Sequence, residues 1–212
     1  GVLTKLRQSA GQDVEGGCGQ LRARSAATSS PVDHARLALR PVEPVVTWLG
    51  HVTVLLQVGG LNILTDPTLA GFAGPYGRFG APRMVKAPLM ARELPPIDIV
   101  LVSHNHYDHL CFFVPLGLKA WFDARNIAQV SELDWWDHVD VPAGTGSLRI
   151  HFTPSQHWSR RTPFDTNATL WGGYGVEWRR ADAAPWRFLF PGDTGYSADF
   201  KRIRERLGPV DF

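Results

Sequence analysis

A chain of 212 residues with 44% hydrophobic and 20% charged side chains has the composition of an ordinary soluble globular domain with one sizeable core. A formal net charge of +2 argues against the concentrated basic patch that nucleic-acid binding needs, and no apolar run approaches the roughly 20 residues that span a bilayer, so any membrane contact is expected to be peripheral. Two cysteines, Cys18 and Cys111, provide no disulfide framework and suit a reducing, cytoplasmic setting.

Residues 1–43 scatter Arg, Ser, Ala and Gly without a sustained period and are expected to form a flexible or loosely docked arm, with the folded domain over residues 44–212. Val45–Leu49, Val52–Val58 and Leu61–Thr65 read as three strands of an antiparallel meander, with Gly59-Gly60 as a hairpin turn. Residues 67–96 read as a long loop carrying Phe72, Tyr76 and Phe79, aromatics suited to a lipid interface or to packing within the loop. Ile97–Ser103 reads as a buried strand, Phe112–Leu116 as another, and Leu118–Phe122 as a short helix. Asn126–Val130, Ser147–Phe152, Thr169–Trp178 and Trp186–Phe190 are further strand candidates, followed by a basic amphipathic helix over Ser197–Leu207 that Gly208-Pro209 ends. Many short strands with helices between them suggest two sheets covered by helices. The chain begins with Gly1 and stops at Phe212 within what reads as a new strand, so both ends look cut.

The chemistry concentrates in His104-Asn-His106-Tyr-Asp108-His109, directly after the strand at 97–103. Imidazole nitrogen and carboxylate oxygen are the donors a borderline divalent ion such as zinc prefers, and the ends of strands are where α/β folds build sites. Residues two apart on extended backbone point to one side, so His104 and His106 would share an ion. His157 lies in a turn after a strand, and Asp193 lies in the Pro191-Gly-Asp-Thr-Gly195 turn, where glycines let a carboxylate come close to an ion. His104, His106 and His157 would form a three-His site, Asp108 and His109 would hold a second ion, and Asp193 would bridge. Asp108 and Asp193 are the candidate catalytic carboxylates. His51 and Asp66 are candidates for supporting the ligands from behind; each would serve equally as a turn residue.

Ser103-His-Asn-His-Tyr-Asp-His109 with Gly192-Asp-Thr-Gly195 downstream resembles the metallo-β-lactamase superfamily. Trp48-Leu-Gly-His-Val-Thr53, Leu94-Pro-Pro-Ile-Asp98, Phe113-Val-Pro-Leu-Gly117, Glu132-Leu-Asp-Trp-Trp136 and Phe152-Thr-Pro-Ser-Gln-His-Trp158 are similar to segments of its N-acylphosphatidylethanolamine-hydrolysing phospholipase D branch, as are Arg161-Thr162 and Pro191–Tyr196. The resemblance implies an α/β (α+β) fold, a four-layer αββα sandwich, with a centre of two zinc ions at one edge. It implies the same ligands, namely His104, His106 and His157 on one ion, Asp108 and His109 on the other, and Asp193 between them. It also implies hydrolysis of a phosphodiester to N-acylethanolamine and phosphatidic acid. Expected partners are a phospholipid substrate, a peripheral membrane contact and a second copy of the chain in a homodimer, with no nucleic acid.

Two departures from the family accompany these expectations. The family's last His ligand has no counterpart before Phe212, so the sandwich is expected to be incomplete at its C-terminus. Leu110 runs almost at once into the strand at 112–116, whereas parallel neighbours need a crossover of about a dozen residues, usually a helix. A lost helix after residue 110 would displace that strand or uncover a sheet face. A hydrolase of a soluble phosphoester or lactone, and an inactive fragment holding at most one metal ion, stay open beside the phospholipase reading.

Overall fold

Both faces of the strand Leu61–Thr65 (β3) are buried, Ile63 looking one way and Leu64 the other. A strand covered on both sides needs a layer above and a layer below, and the computed structural model supplies both. It describes residues 32–69, 72–73, 81–82, 87–104, 113–125, 127, 129–160 and 162–212. The candidates His106, Asp108 and His109, the aromatics Tyr76 and Phe79, the segment in which a helix was expected to be missing, and residues 1–31 of the arm lie outside the described residues.

The first sheet has six strands. Val45–Trp48 (β1), Val54–Val58 (β2) and β3 form the expected antiparallel meander, turning at Gly59 and Gly60, both with positive φ. Two short strands, Phe72–Ala73 (β4) and Ala81–Pro82 (β5), pair with each other inside the stretch read as a loop. Ile99–Leu101 (β6) runs parallel to β3, and Phe113–Pro115 (β7) runs parallel to β6. The strand after the metal motif is therefore in place rather than displaced. Ser131–Leu133 (β8) closes this sheet as a parallel neighbour of β7. It replaces the strand expected at 126–130. Arg125 and Ile127 both donate their N–H to Phe122 O and Gln129 has a φ of 64°, so that backbone is used in turning out of the preceding helix.

The second sheet is an antiparallel run of His138–Ala143 (β9), Gly146–Thr153 (β10), Gly173–Arg180 (β11) and Ala183–Phe190 (β12). β9 was not foreseen: its exposure alternates along His-Val-Asp-Val-Pro-Ala, and it is a polar edge strand that tolerates Pro142. Between the sheets, Leu56, Val58, Ile63, Ile99 and Leu101 meet Leu148, Ile150, Phe152, Tyr174, Val176, Trp178, Phe188 and Phe190. On the far side of the first sheet, Leu55, Leu64, Val100 and Val114 pack with Leu37 of a short helix at His34–Leu37 (α1) and Phe122 of a helix at Lys119–Asp123 (α2). A helix at Asp199–Leu207 (α3) lies on the outer face of the second sheet, where Leu207 Cδ2 fills the space over Gly175. Helix, sheet, sheet, helix is the expected order of layers.

Residues 32–43, read as part of a loose arm, are docked. Leu37 is buried, Gln57 Nε2 donates to Leu37 O and Leu39 O, Gly59 N donates to Val42 O, and Arg40 pairs with Asp98 at 2.8 Å. The side chain of Gln57 is 1% exposed, so these carbonyls answer a buried polar group that would otherwise cost folding energy.

Candidate metal centre

β3 and β6 run parallel and end side by side, which brings Asp66 against the residue that follows β6 by two. Ser103 N donates to Asp66 Oδ1 at 2.8 Å and Ser103 Oγ donates to Asp66 Oδ2 at 2.5 Å. Asp66 has a positive φ of 28° and its carbonyl accepts from Thr53 Oγ1 and Thr68 N, so its backbone is fixed in an unusual conformation by buried partners. Ser103 Oγ also lies 2.7 Å from His104 Nδ1. A carboxylate only accepts, so the one hydroxyl proton of Ser103 goes to Asp66 and its oxygen accepts from His104 Nδ1–H. Hydrogen-bond accounting thus assigns the tautomer of His104 and leaves the Nε2 lone pair pointing out, 4.0 Å from Asp193 Oδ2.

The second sheet contributes the other donors. β10 leads out to His157 and β12 leads out to Asp193, and the two loops are joined by a bridge between Gln156 and Gly195. Gly195 N donates to Gln156 O at 2.9 Å and Gln156 N donates to Thr194 Oγ1 at 3.0 Å. Trp171 Nε1 donates to Ser155 O, and Trp135 Nε1 donates to Trp171 O, so two indoles brace the His157 loop. Gly192 has a φ of 64°, and a Cβ there would come 2.8 Å from Ser103 Cβ, which is why the Asp193 turn can lie against the strand end that carries His104.

His104, His157 and Asp193 each offer a ligand atom within 4.8 Å of the others, the one such group among the described residues. The two imidazoles meet edge to face, with centroids 5.0 Å apart and planes at 83°. Burial pushes the pKa of His157 down, with Asp193 pulling in the opposite direction. Two imidazole nitrogens and a carboxylate oxygen converging in this way fit a borderline divalent ion such as zinc. Of the residues proposed as support, Asp66 bonds to Ser103, whose hydroxyl lies against His104. His51 is an exposed turn residue whose carbonyl accepts from Trp48 Nε1, and it is not among the converging donors. Ser103, which links Asp66 to His104, was not singled out in the sequence; the signal for it was a hydroxyl directly before the first motif histidine.

Residues 61–212 match the beta-lactamase superfamily domain, and the chain belongs to that superfamily. Its similarity to individual proteins is more particular. It is 37% identical over 187 residues to N-acyl-phosphatidylethanolamine-hydrolyzing phospholipase D 1 of Caenorhabditis elegans, covering 78% of this chain and 51% of that protein. The mitochondrial N-acyl-phosphatidylethanolamine-hydrolyzing phospholipase D of Saccharomyces cerevisiae is 36% identical over 177 residues, or 76% of this chain and 37% of the relative. The chain thus spans about half the length, or less, of these curated relatives. Among solved structures, the isothiocyanate hydrolase from Delia radicum gut bacteria superposes with a TM-score of 0.53 at 21% identity, over 77% of this chain and 68% of that one, a likeness of fold.

Proposed function

We propose that this chain is the hydrolytic domain of a zinc-dependent phosphodiesterase of the phospholipase D type that acts on N-acylphosphatidylethanolamine. The observation that carries the proposal is the convergence of His104, His157 and Asp193 from the ends of two sheets to within 4.8 Å. The identity of 37% to a phospholipase D supports the substrate class. In this reading His104, His106 and His157 would hold one ion, Asp108 and His109 would hold the other, and Asp193 would serve both, with Asp108 and Asp193 as catalytic carboxylates. When bound, the ions supply a water acidified toward neutral pH and positive charge against the phosphodiester.

The rest is done by the chain. Asp66 and Ser103 hold the His104 imidazole in the tautomer that presents Nε2. Burial favours neutral His157, the form that coordinates. Trp158, next to His157, is 40% exposed with Arg160 stacked over its ring at 4.9 Å, and Phe164 and Tyr196 are more than nine-tenths exposed. These aromatics follow the two ligand loops in sequence and supply apolar surface to the acyl chains of a lipid, or to a peripheral contact with the bilayer holding it. No helix among the described residues is long and apolar enough to cross a membrane.

The test is elemental analysis of the full chain followed by assays on vesicles containing N-acylphosphatidylethanolamine, a soluble phosphodiester and a lactone, each with and without chelator. Bound zinc together with chelator-sensitive release of N-acylethanolamine supports the reading. Cleavage of the soluble ester or lactone with the lipid left intact overturns the substrate. A chain that binds no divalent ion overturns the metal centre.

A further inference from the structure

Tyr174 lies on an inner strand of the second sheet, near the start of β11, with Phe152 of β10 and Phe190 of β12 as its register partners on either side. From those two neighbours the chain runs on to His157 and Asp193. Its ring is fully buried and packs on Phe152 with centroids 5.1 Å apart. Its hydroxyl crosses to the other sheet, 2.9 Å from Val102 O and 2.9 Å from Phe113 O. Val102 immediately precedes Ser103 and His104, and Phe113 opens β7.

The strands it touches are thinly joined. Among the described residues, β6 and β7 share one register pair, Leu101 with Phe113, and one further hydrogen bond from Val102 N to Phe113 O at 3.1 Å. A phenol has one proton, so the two carbonyls share a single donor, and that donor serves both only while the strand ends stay together. Burial drives the phenol pKa well above its usual value, so the group remains a donor across the working pH range.

We propose that Tyr174 is a positioning residue for the metal centre: its hydroxyl staples the ends of β6 and β7 to the sheet that carries His157 and Asp193, and so sets where His104 stands relative to them. The proposal rests on the metal-centre reading above. The phenol touches none of the converging donors; it acts through the backbone carbonyl one residue before Ser103.

Y174F removes the hydroxyl and keeps the ring. In metal-free protein, hydrogen exchange should quicken at the Val102–His104 and Phe113–Val114 amides while the interior of β10–β12 stays as slow as in the unaltered chain. Zinc affinity should fall about tenfold, the lower end of what loss of a ligand-orienting partner costs, and the visible spectrum of the cobalt-substituted protein should shift. Unchanged exchange at those amides overturns the staple. Faster exchange with unchanged zinc affinity overturns its role in positioning the site. Faster exchange in a pair of proteins neither of which binds zinc overturns the metal-centre reading and this role with it, while the exchange result still identifies the staple. If Y174F does not fold, 3-fluorotyrosine placed at position 174 keeps the hydroxyl. Its ¹⁹F resonance should move when zinc is added, and a resonance that does not move overturns the proposal.

Discussion

Asp66 grips Ser103 twice, through one carboxylate oxygen at the backbone N–H and through the other at the hydroxyl, 2.8 and 2.5 Å away. Both contacts need an acceptor. In Asp66→Asn the NH₂ group either faces the Ser103 N–H, donor against donor, or donates to the Ser103 hydroxyl, whose proton then turns to His104 Nδ1, and in both cases the charged acceptor is lost. Unfolding free energy should drop by about 1–3 kcal/mol. Zinc affinity should drop about 10- to 100-fold, because Ser103 no longer fixes the His104 tautomer. Thermal unfolding of the chelated protein and zinc competition titration measure the two effects separately. An Asp66→Asn variant with unaltered zinc affinity would show that the carboxylate does not act through Ser103.

Gly192 bears on the same region from the other sheet. An added Cβ would come 2.6 Å from Gly172 O and 2.8 Å from Ser103 Cβ, on a residue whose φ of 64° already disfavours any side chain. Gly192→Ala should therefore cost more than about 1 kcal/mol and weaken metal binding together with stability. A change at an open position with a similar φ is the control: Gly60, with φ 80° and nothing within 4 Å of a built Cβ, should lose stability without losing zinc. Equal loss of zinc affinity in both variants would count against the Gly192 contact.

The pH dependence of stability should be set partly by groups outside the candidate metal centre. On the outer face of the second sheet Asp140, Arg149, Glu177 and Arg187 face one another in register across β9 to β12. His138 and His151 form the adjoining pair, ring centroids 5.4 Å apart. Burial, then the charge of His138 and those of Arg149 and Arg179, lower the pKa of His151 from 6.5 to about 4, with Glu177 opposing. The native state therefore refuses a proton that the unfolded chain accepts below about pH 6.5. The stability contributed by neutral His151 is complete above pH 6.5 and is lost as pH falls toward 4. Urea midpoints of the chelated protein between pH 4 and 8 should decline through that window, and less steeply in His151→Gln. Parallel curves would remove His151 as the cause.

Phe164 is 97% exposed and packs on nothing that folding depends on. Phe164→Ser should leave unfolding free energy within about 0.5 kcal/mol while reducing co-sedimentation with vesicles that contain N-acylphosphatidylethanolamine. Unreduced co-sedimentation would take this side chain out of the lipid contact.

What the sequence disclosed depended on how local each signal is. The β1–β3 meander was legible from alternation and Gly59-Gly60, and the candidates Asp66, His104, His157 and Asp193 were legible because each follows within a few residues of a strand-like run. Ser103 was visible as a letter of the motif but not as a proton donor, because its partner Asp66 lies 37 residues away. Tyr174 meets Val102 and Phe113 across 72 and 61 residues, a contact created by docking one sheet on another and absent from any local pattern. β9 was missed because an edge strand with one wet face lacks the apolar run that marks a buried one. The strand expected at 126–130 failed for the opposite reason: an apolar pair was read without the turn that consumes it.

Because His104 stands on one sheet and His157 and Asp193 on the other, the donor set comes into existence only when the two halves of the sandwich have docked. Each sheet can be assembled from pairings nearer in sequence, whereas His104 is separated from His157 and Asp193 by more than fifty residues, so metal competence should be a late event in folding. An ion that binds the docked state alone then acts as a kinetic lock: it slows unfolding while leaving the early folding rate unchanged.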